Sequence, residues 1–326
     1  MVRPDGLSGA AFHLTLLDAF EALGARGPAE ITSANKVIQI PQLQLPPSME
    51  DARHWPLSTF FIIGEVVKEF VFNNKDAQRW TGPPITFSPE SPPQTRLLMH
   101  FMSPSNSAKM AQMCRENKTT ITALLTVIIA DGMAIAYPTH SRFPASLATS
   151  MRHFTGTDKR QMANQYSGMT VHCSSKGECG YINCYYIDWD VVRACKVVID
   201  GAVKSPANQI TIILKFLSDN GGFLRKKIGQ PKSHSFELSN VGVVDGGLDR
   251  DGVARFGQFV FSQSANVTEP AYNFSVATVK GGAMTISLTW QKGIIEEDKA
   301  KQVLNHLTTR LHLLGMEGDL QNAKSE

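Results

Sequence analysis

The chain begins Met1-Val2-Arg3-Pro4-Asp5-Gly6-Leu7-Ser8-Gly9-Ala10 and passes at once into an apolar, periodic run. Phe12, Leu16, Leu17 and Phe20 fall on one face of a helix, so the spacing predicts a helix over residues 10–23. An Asp-Gly pair that opens directly onto a helix is typical of a catalytic loop. It is also typical of a plain helix cap, because aspartate accepts a hydrogen bond from a free backbone N–H. The local sequence leaves both interpretations open.

Composition limits the class of protein. The 326 residues form one large domain or two ordinary ones, and 42% hydrophobic with 19% charged residues is typical of a globular chain. The net charge of +3 is too small to indicate a nucleic-acid partner. Five cysteines without a CxxC pair predict reduced thiols and no metal site. Because Pro4, Asp5 and Gly6 interrupt any signal-peptide core, we expect a cytoplasmic protein.

The pattern along the rest of the chain mixes strands and helices. We predict strands at 95–102, 235–244, 257–263, 271–279 and 284–291, helices at 103–117, 121–136, 188–204 and 296–314, an extended piece at 37–40, and mostly loop at 144–168. Gly281-Gly282 predicts a hairpin turn between the last two strands. Without a strict strand–helix–strand rhythm, this order predicts an α/β fold with a mixed sheet in two layers.

Residues 55–72 are rich in large apolar side chains, among them Trp55, Phe60, Phe61, Phe70 and Phe72. The stretch is short for a bilayer span, and Glu65, Lys68 and Glu69 interrupt it. We predict a buried or interface helix. The alternative is a segment that lies on a membrane surface, which would make the protein membrane-associated. Five prolines between residues 81 and 95 predict a linker after this stretch.

Several segments together resemble one family. Asp5-Gly6-Leu7-Ser8-Gly9 resembles the end of an HxxxDG motif, and Leu45-Pro46-Pro47-Ser48-Met49-Glu50-Asp51 resembles the family's LPPSxE stretch. Ser239-Asn240-Val241-Gly242, Phe261-Ser262-Gln263 and the final hairpin through Lys280-Gly281-Gly282 resemble strands of its second half. The family is the fungal alcohol O-acetyltransferases, CoA-dependent acyltransferases with the fold of chloramphenicol acetyltransferase and the plant BAHD enzymes. The resemblance covers most of residues 5–315.

The resemblance implies a fold, a reaction and a set of site residues. Residues 1–92 would be the remnant of a truncated first half, and residues 93–326 a complete second half. The activity would be acetyl transfer from acetyl-CoA, as co-substrate, to a small-molecule alcohol or a secondary-metabolite hydroxyl, by a monomer with no bound cofactor. The motif aspartate would hold the catalytic loop through an arginine, for which Arg152 is the candidate. The residues that line the substrate and CoA tunnel would be Ser239, Asn240, Gly242, Ser262 and Gln263.

The chain departs from the family at the catalytic base. Met1 stands four residues before Asp5, where the motif has its histidine, so that only Asp5 and Gly6 of the motif are present. No other histidine in the chain is followed by an aspartate at that spacing. A start assigned within the gene is one explanation, and the one we favour; a decayed relative is the other. Three functions stay open: an O-acyltransferase, a non-catalytic relative that binds a ligand or partner, and a condensation domain that uses carrier-protein thioesters.

Overall fold

The computed structural model describes residues 5–26, 45–67, 76–88, 90, 92–174, 187–207, 209–216, 219–248, 252, 254–268 and 270–322. The strands are β1 (Thr95–Met102), β2 (Ala145–Ser150), β3 (Tyr166–Val171), β4 (Phe236–Val244), β5 (Tyr272–Val279) and β6 (Met284–Gln291). The helices are α1 (Gly6–Arg26), α2 (Thr59–Val67), α3 (Pro104–Glu116), α4 (Ile121–Ala136), α5 (Arg152–Thr155), α6 (Trp189–Lys204), α7 (Ile210–Ile213), α8 (Asn220–Lys226) and α9 (Glu297–Asn322).

The six strands form one mixed sheet in the order β1-β6-β5-β4-β2-β3. β4 runs parallel to both β2 and β5, whereas the pairs β1–β6, β5–β6 and β2–β3 are antiparallel. The turn between β5 and β6 contains Gly281 at φ +70°, a conformation that favours glycine. The mixed sheet and the final hairpin predicted from the sequence are therefore confirmed.

One face of the sheet carries the main hydrophobic core. Alternate residues of β5 and β6, including Phe274, Val276, Ile286 and Leu288, are buried against a helical layer that contains α3, α4, α6 and α9. Because side chains alternate along a strand, these residues fill one face and leave the other for different chemistry. Each fully buried side chain of this size contributes roughly 1.5–3 kcal/mol relative to an exposed one, so this face dominates the stability of the fold.

The opposite face of the same strands is polar. It carries buried Asn273 and Ser275 on β5 and buried Thr285, Ser287 and Thr289 on β6. Helix α1 covers part of this face through Ala10 and Leu14, which pack with Val244, Phe259 and Ala277 in a small second core. The core sits on one side of the sheet and the polar face on the other, and this division positions the candidate site.

Two sequence predictions were wrong, and both concern this polar face. Residues 144–168 contain β2, β3 and α5 where mostly loop was predicted, because Ala145-Ser146-Leu147-Ala148 lacks the large β-branched residues that mark a strand. Residues 257–263 form no strand. They cross the face of β6, where the carbonyls of Phe259 and Phe261 accept hydrogen bonds from Thr285 Oγ1 (2.5 Å) and Ser287 Oγ (2.7 Å).

Helix α2 lies within the hydrophobic stretch at 55–72 and is not fully buried. Phe60 is 87% exposed and Ile63 is 54% exposed. Residues 68–72 and the predicted extended piece at 37–40 lie outside the described residues. In the described ranges no single helix has the length and hydropathy of a membrane span. Helices α3 and α4 have that length and hydropathy only when taken together, and the pair is bent by 99°.

Helices α4 and α9 approach closely at Gly132, where an added Cβ would lie 3.2 Å from the carbonyl oxygen of Val303. Next to this contact, burial raises the pKa of Asp131 to about 7, although Arg310 on α9 opposes the rise. Burial also lowers the pKa of His306, and its Nε2 atom has no hydrogen-bond partner within the described part of the chain. The interface thus contains a carboxyl group that the folded state prefers to keep protonated.

We expect Asp131→Asn to change how stability depends on pH. Because the folded state holds the Asp131 proton more tightly than the unfolded chain, this group reduces stability as pH rises from about 4 to about 7. The asparagine variant lacks this loss, so its stability relative to wild type should increase by roughly 1–4 kcal/mol between pH 4 and pH 8. Urea unfolding at several pH values measures the difference. Asp298→Asn, on the exposed side of α9, is the control. A constant difference between the Asp131 variant and wild type would contradict the prediction.

Candidate active site

A buried ion pair joins Asp5 and Arg152 outside the main core. Arg152 donates from Nη2 to Asp5 Oδ1 (2.9 Å) and from Nε to Asp5 Oδ2 (3.2 Å). The pair is bidentate, the geometry that best matches a guanidinium to a carboxylate. Only 7% of the Asp5 side chain and 4% of the Arg152 side chain are exposed. The structure therefore brings together the two residues that the resemblance placed in the loop anchor.

Other donors occupy the remaining lone pairs of Asp5. Ser8 donates to Oδ1 from its backbone N–H and its hydroxyl, both at 2.9 Å, and the backbone N–H of Gln165 donates to Oδ2 at 3.2 Å. Asp5 is therefore both the N-cap of α1 and the partner of Arg152. Because five donors surround its two oxygens, Asp5 is arranged to hold the loop in place and not to accept a proton from a substrate.

The guanidinium of Arg152 also fixes the segment opposite. Its Nη1 donates to the carbonyl oxygens of Asp158 (2.6 Å) and Gln161 (2.9 Å). Ser8 Oγ, in turn, accepts a hydrogen bond from the backbone N–H of Ala163 at 2.9 Å. One side chain thus joins the start of α1 to the loop between β2 and β3.

Gly6 brings the start of α1 against the sheet. A Cβ at this position would lie 2.3 Å from Val241 Cγ1 and 3.0 Å from Phe261 Cζ, which real Cβ atoms do not tolerate. Glycine is therefore required for this approach, unless Val241 moves. The absence of a side chain at Gly6 places the N-terminal end of α1 at the wall of a cavity.

The cavity has a volume of about 350 Å³ and lies between α1, β2, β4 and the segment that crosses β6. Its wall combines small polar side chains with apolar ones. The lining residues are Asp5, Gly6, Leu7, Ala148, Thr149, Ser150, Asn164, Tyr166, Glu237, Ser239, Asn240, Val241, Phe261, Ser262, Gln263 and Ser264. Such a concave site with several converging hydroxyl groups is suited to a small molecule.

The predicted tunnel residues differ in what they contribute. Ser239, Ser262 and Gln263 line the cavity. Asn240 also lines it, but its carboxamide donates to Thr122 Oγ1 (3.1 Å) and accepts from the N–H of Gly242 (2.9 Å). Gly242 does not line the cavity; at φ +79° it forms the irregularity where the pairing of β4 with β5 shifts. Gly242 thus shapes the strand, Asn240 does so while also lining the cavity, and the other three line the cavity.

Sequence reasoning missed several cavity residues. Tyr166, Thr149 and Ser150 lie on β2 and β3, which were predicted as loop. Glu237 lies two residues before Ser239 on β4, and its Oε1 accepts a hydrogen bond from Gln263 Nε2 at 3.2 Å. The alternation of side chains along β4 was the signal for Glu237, because residues two apart share a face. No comparable signal marked Tyr166.

None of the cavity-lining residues is a histidine. His13 lies on the exposed side of α1, edge-to-face with Phe12 and Phe259 at centroid distances of 5.4 Å. In the described part of the chain, no group of three or more His, Cys, Asp or Glu side chains is arranged to hold a metal ion. The cavity supplies hydrogen-bond donors, acceptors and an anchored loop.

We expect Arg152→Met to destabilise the protein by about 3–5 kcal/mol, because it leaves the carboxylate of Asp5 buried without its cation. Adding Asp5→Asn should recover part of that loss, since a neutral amide is cheaper to bury. Urea unfolding of wild type, both single variants and the double variant gives the coupling free energy between Asp5 and Arg152. Arg160→Met is the matched control: Arg160 pairs with Asp18 at 2.6 Å, but both side chains are exposed, so its loss should cost at most about 1 kcal/mol. Strictly additive effects at Asp5 and Arg152 would contradict the coupling.

The chain is similar along almost its whole length to two probable alcohol acetyltransferases. It is 27% identical to the probable alcohol acetyltransferase FCK4 of Fusarium pseudograminearum, which covers 97% of this chain, and 23% identical to the probable alcohol acetyltransferase crmB of Aspergillus fumigatus, which covers 90%. The chain spans 66% and 63% of the lengths of these two relatives.

Comparison with solved structures supports the same fold. The trichothecene 15-O-acetyltransferase TRI3 from Fusarium sporotrichioides superposes with a TM-score of 0.66 at 12% identity, over 96% of this chain and 63% of that one. The fold class implied by the resemblance, a mixed-sheet chloramphenicol acetyltransferase-like fold, is confirmed. The family model for alcohol acetyltransferases matches residues 2–311. With that match added to the fold and to the anchored Asp-Gly loop at the cavity, the chain belongs to the alcohol acetyltransferase family.

Proposed function

We propose that the chain forms the acyl-transfer site of an acyl-CoA-dependent O-acetyltransferase that acts on an alcohol. The observation that carries this proposal is the buried Asp5–Arg152 pair, which fixes the Asp-Gly loop at the wall of a hydroxyl-lined cavity. Family membership supports the reaction type, and the two probable alcohol acetyltransferases support an alcohol as acceptor. Acetyl-CoA takes part as co-substrate and not as a resident cofactor.

The proposed reaction needs three things from the protein: a base, a donor to the developing oxyanion, and side chains that orient the two substrates. The acceptor oxygen attacks the thioester carbonyl carbon, a C–O bond forms, the C–S bond breaks, and the hydroxyl proton passes through a base to the departing CoA sulfur. A hydroxyl is a weak nucleophile at neutral pH, so a positioned base contributes roughly 10²–10⁴-fold. Negative charge develops on the carbonyl oxygen, and a donor aimed at it contributes a comparable factor.

The cavity supports two of these needs. Ser239, on the central strand β4, is our candidate donor to the developing oxyanion, because the sheet holds its position rigidly. Ser262 and Gln263 are candidates for orienting the two substrates. The base is the third need. In the family pattern it is a histidine four residues before Asp5, where this sequence has Met1.

We expect the chain to transfer acetyl groups slowly, and a histidine at position 1 to increase the rate. Purified protein with acetyl-CoA and a panel of small alcohols should release thiol slowly, as measured with Ellman's reagent. Met1→His, made with an additional initiating methionine, should release thiol about 10²-fold or more faster, because it restores the base.

The controls separate catalysis from binding. Ser239→Ala in the Met1→His background should lower kcat by about 10²-fold if Ser239 donates to the oxyanion. Equal turnover with and without the histidine would remove residue 1 from the mechanism. Binding of acetyl-CoA with no turnover in either variant would favour the alternative function, a non-catalytic relative that binds its ligand.

We also propose that α2 contacts a lipid surface. Phe60 and Ile63 are exposed on this helix, and Phe216, 67% exposed, lies beside it on the rim of an apolar groove that also contains Trp55 and Ile62. An exposed apolar helix face of this kind can enter the boundary between headgroups and acyl chains. A monomeric state and a cytoplasmic location stay predictions.

Co-sedimentation with phosphatidylcholine vesicles tests this contact. We expect the double substitution Phe60→Ser and Ile63→Ser to reduce the vesicle-bound fraction severalfold, because it removes the exposed apolar side chains. Phe12→Ser, which replaces an equally apolar and 54% exposed residue on α1, should leave binding unchanged. Equal losses in the two proteins would indicate nonspecific adsorption.

A further inference from the structure

A row of polar side chains crosses the sheet at the level of Glu237. Glu237 on β4 is in register with Ser146 on β2 and with Asn273 on β5, and Asn273 is in register with Thr289 on β6. Residues directly opposite each other on paired strands point to the same face of the sheet. Glu237 lines the cavity, whereas Asn273 and Thr289 do not line it and extend the row away from it toward β6.

The inner two members of this row are buried and unsatisfied. Asn273 is 1% exposed and Thr289 is 2% exposed. Neither the Oδ1 nor the Nδ2 atom of Asn273, nor Oγ1 of Thr289, has a hydrogen-bond partner among the described residues. Most buried polar groups in proteins are paired, and an orphan of this kind requires a physical explanation. Here two orphan side chains face each other on neighbouring strands.

The other buried hydroxyls on this face are not orphans. Thr285, four residues before Thr289 on β6, donates to the carbonyl oxygen of Phe259. Ser287 donates to the carbonyl oxygen of Phe261. The crossing segment thus satisfies the first two positions of β6 and leaves the third without a partner. Within the described ranges, the unmet hydrogen-bonding capacity on this face lies next to the cavity.

Gln263 lines the cavity and contacts the outer member of this row. Its Nε2 donates to Glu237 Oε1 at 3.2 Å and lies 3.5 Å from Ser275 Oγ, on the next row of β5. We propose that the cavity continues beneath Gln263 into a polar subsite formed by Glu237, Asn273 and Thr289, which binds a second hydroxyl group of the acceptor. This inference rests on the proposed function, and it names the acceptor class: an alcohol with more than one hydroxyl group.

A hydroxyl group suits the subsite because it both donates and accepts. The carboxamide of Asn273 and the hydroxyl of Thr289 each do the same, and the carboxylate of Glu237 accepts. A second hydroxyl therefore meets partners that are already fixed by the sheet. An acceptor with a methylene group at that position leaves these atoms unpaired. Sites built to bind a hydroxyl discriminate strongly against analogues that lack it, and we expect a preference of about 10- to 100-fold.

The test compares cis-1,3-cyclohexanediol with cyclohexanol, two probes that differ by one hydroxyl group. Their Kd values for the intact chain are measured by ligand-observed NMR titration. We expect the diol to bind about 10- to 100-fold more tightly than the mono-alcohol. Equal affinity for the two probes would overturn the subsite and leave the proposed function standing. Failure of both probes to bind would overturn the acceptor cavity itself, and the subsite with it.

Two isosteric substitutions on β6 supply a matched pair. Thr289→Val removes an unpaired buried hydroxyl, so we expect the diol preference to fall severalfold while the melting temperature stays equal or rises by about 1–3 °C. Thr285→Val removes a paired hydroxyl, so the melting temperature should fall and the preference should persist. If Thr289→Val lowers the melting temperature and keeps the preference, Thr289 is structural and the subsite is wrong.

Asn273→Leu is the second, independent variant. It replaces two orphan polar atoms by an apolar side chain of similar size, so the ligand-free protein should melt about 2–4 °C higher. The same variant should lose the preference for the diol. A stability gain that accompanies a loss of ligand discrimination is the result expected for a binding group and not for a structural one. Retained discrimination in this variant would overturn the role of Asn273.

Discussion

The arrangement of the candidate site depends on the buried ion pair between Asp5 and Arg152. Burying either charge alone would cost several kcal/mol, so each side chain is useful only while the other is in place. Hydrogen bonds from Ser8 and Gln165 complete the shell of Asp5, and carbonyls at Asp158 and Gln161 complete that of Arg152. One pair therefore determines the position of α1, the path of the loop before β3 and the shape of the cavity between them.

The two acidic side chains of the cavity, Asp5 and Glu237, differ in their hydrogen-bond partners. The carboxylate of Asp5 is saturated by donors that belong to the fold, whereas Glu237 lies on a strand within the cavity wall and accepts a hydrogen bond from the side chain of Gln263. The sheet can carry such polar groups because its other face supplies the hydrophobic core. A sheet buried on both faces by apolar side chains would be more stable and would offer no hydrogen-bond partners to a ligand.

The sequence was most informative where periodicity and local chemistry agree. The apolar repeat of α4, the hairpin at Gly281 and the Asp-Gly start of α1 each follow from rules that act within a few residues. β2 and β3 could not be predicted in the same way. Ala148 and Gly168 face each other there without large side chains, and these strands owe their existence to pairing with β4 and with each other. The crossing segment at 257–263 has strand-like composition, but side-chain hydroxyls of β6 satisfy its carbonyls, which no local pattern reveals.

The cavity residues also divide into those that the local sequence could identify and those that depend on strand pairing. Ser239 was found from its motif, whereas Glu237, Asn273 and Thr289 become a group only when the strand register is known. Register is a property of the whole sheet, because a shift of one residue would turn each of these side chains to the opposite face. The large apolar residues between them, such as Phe274 and Leu288, fix that register by packing against the helical layer. The hydrophobic core thus determines not only the stability of the fold but also which polar groups meet at the site.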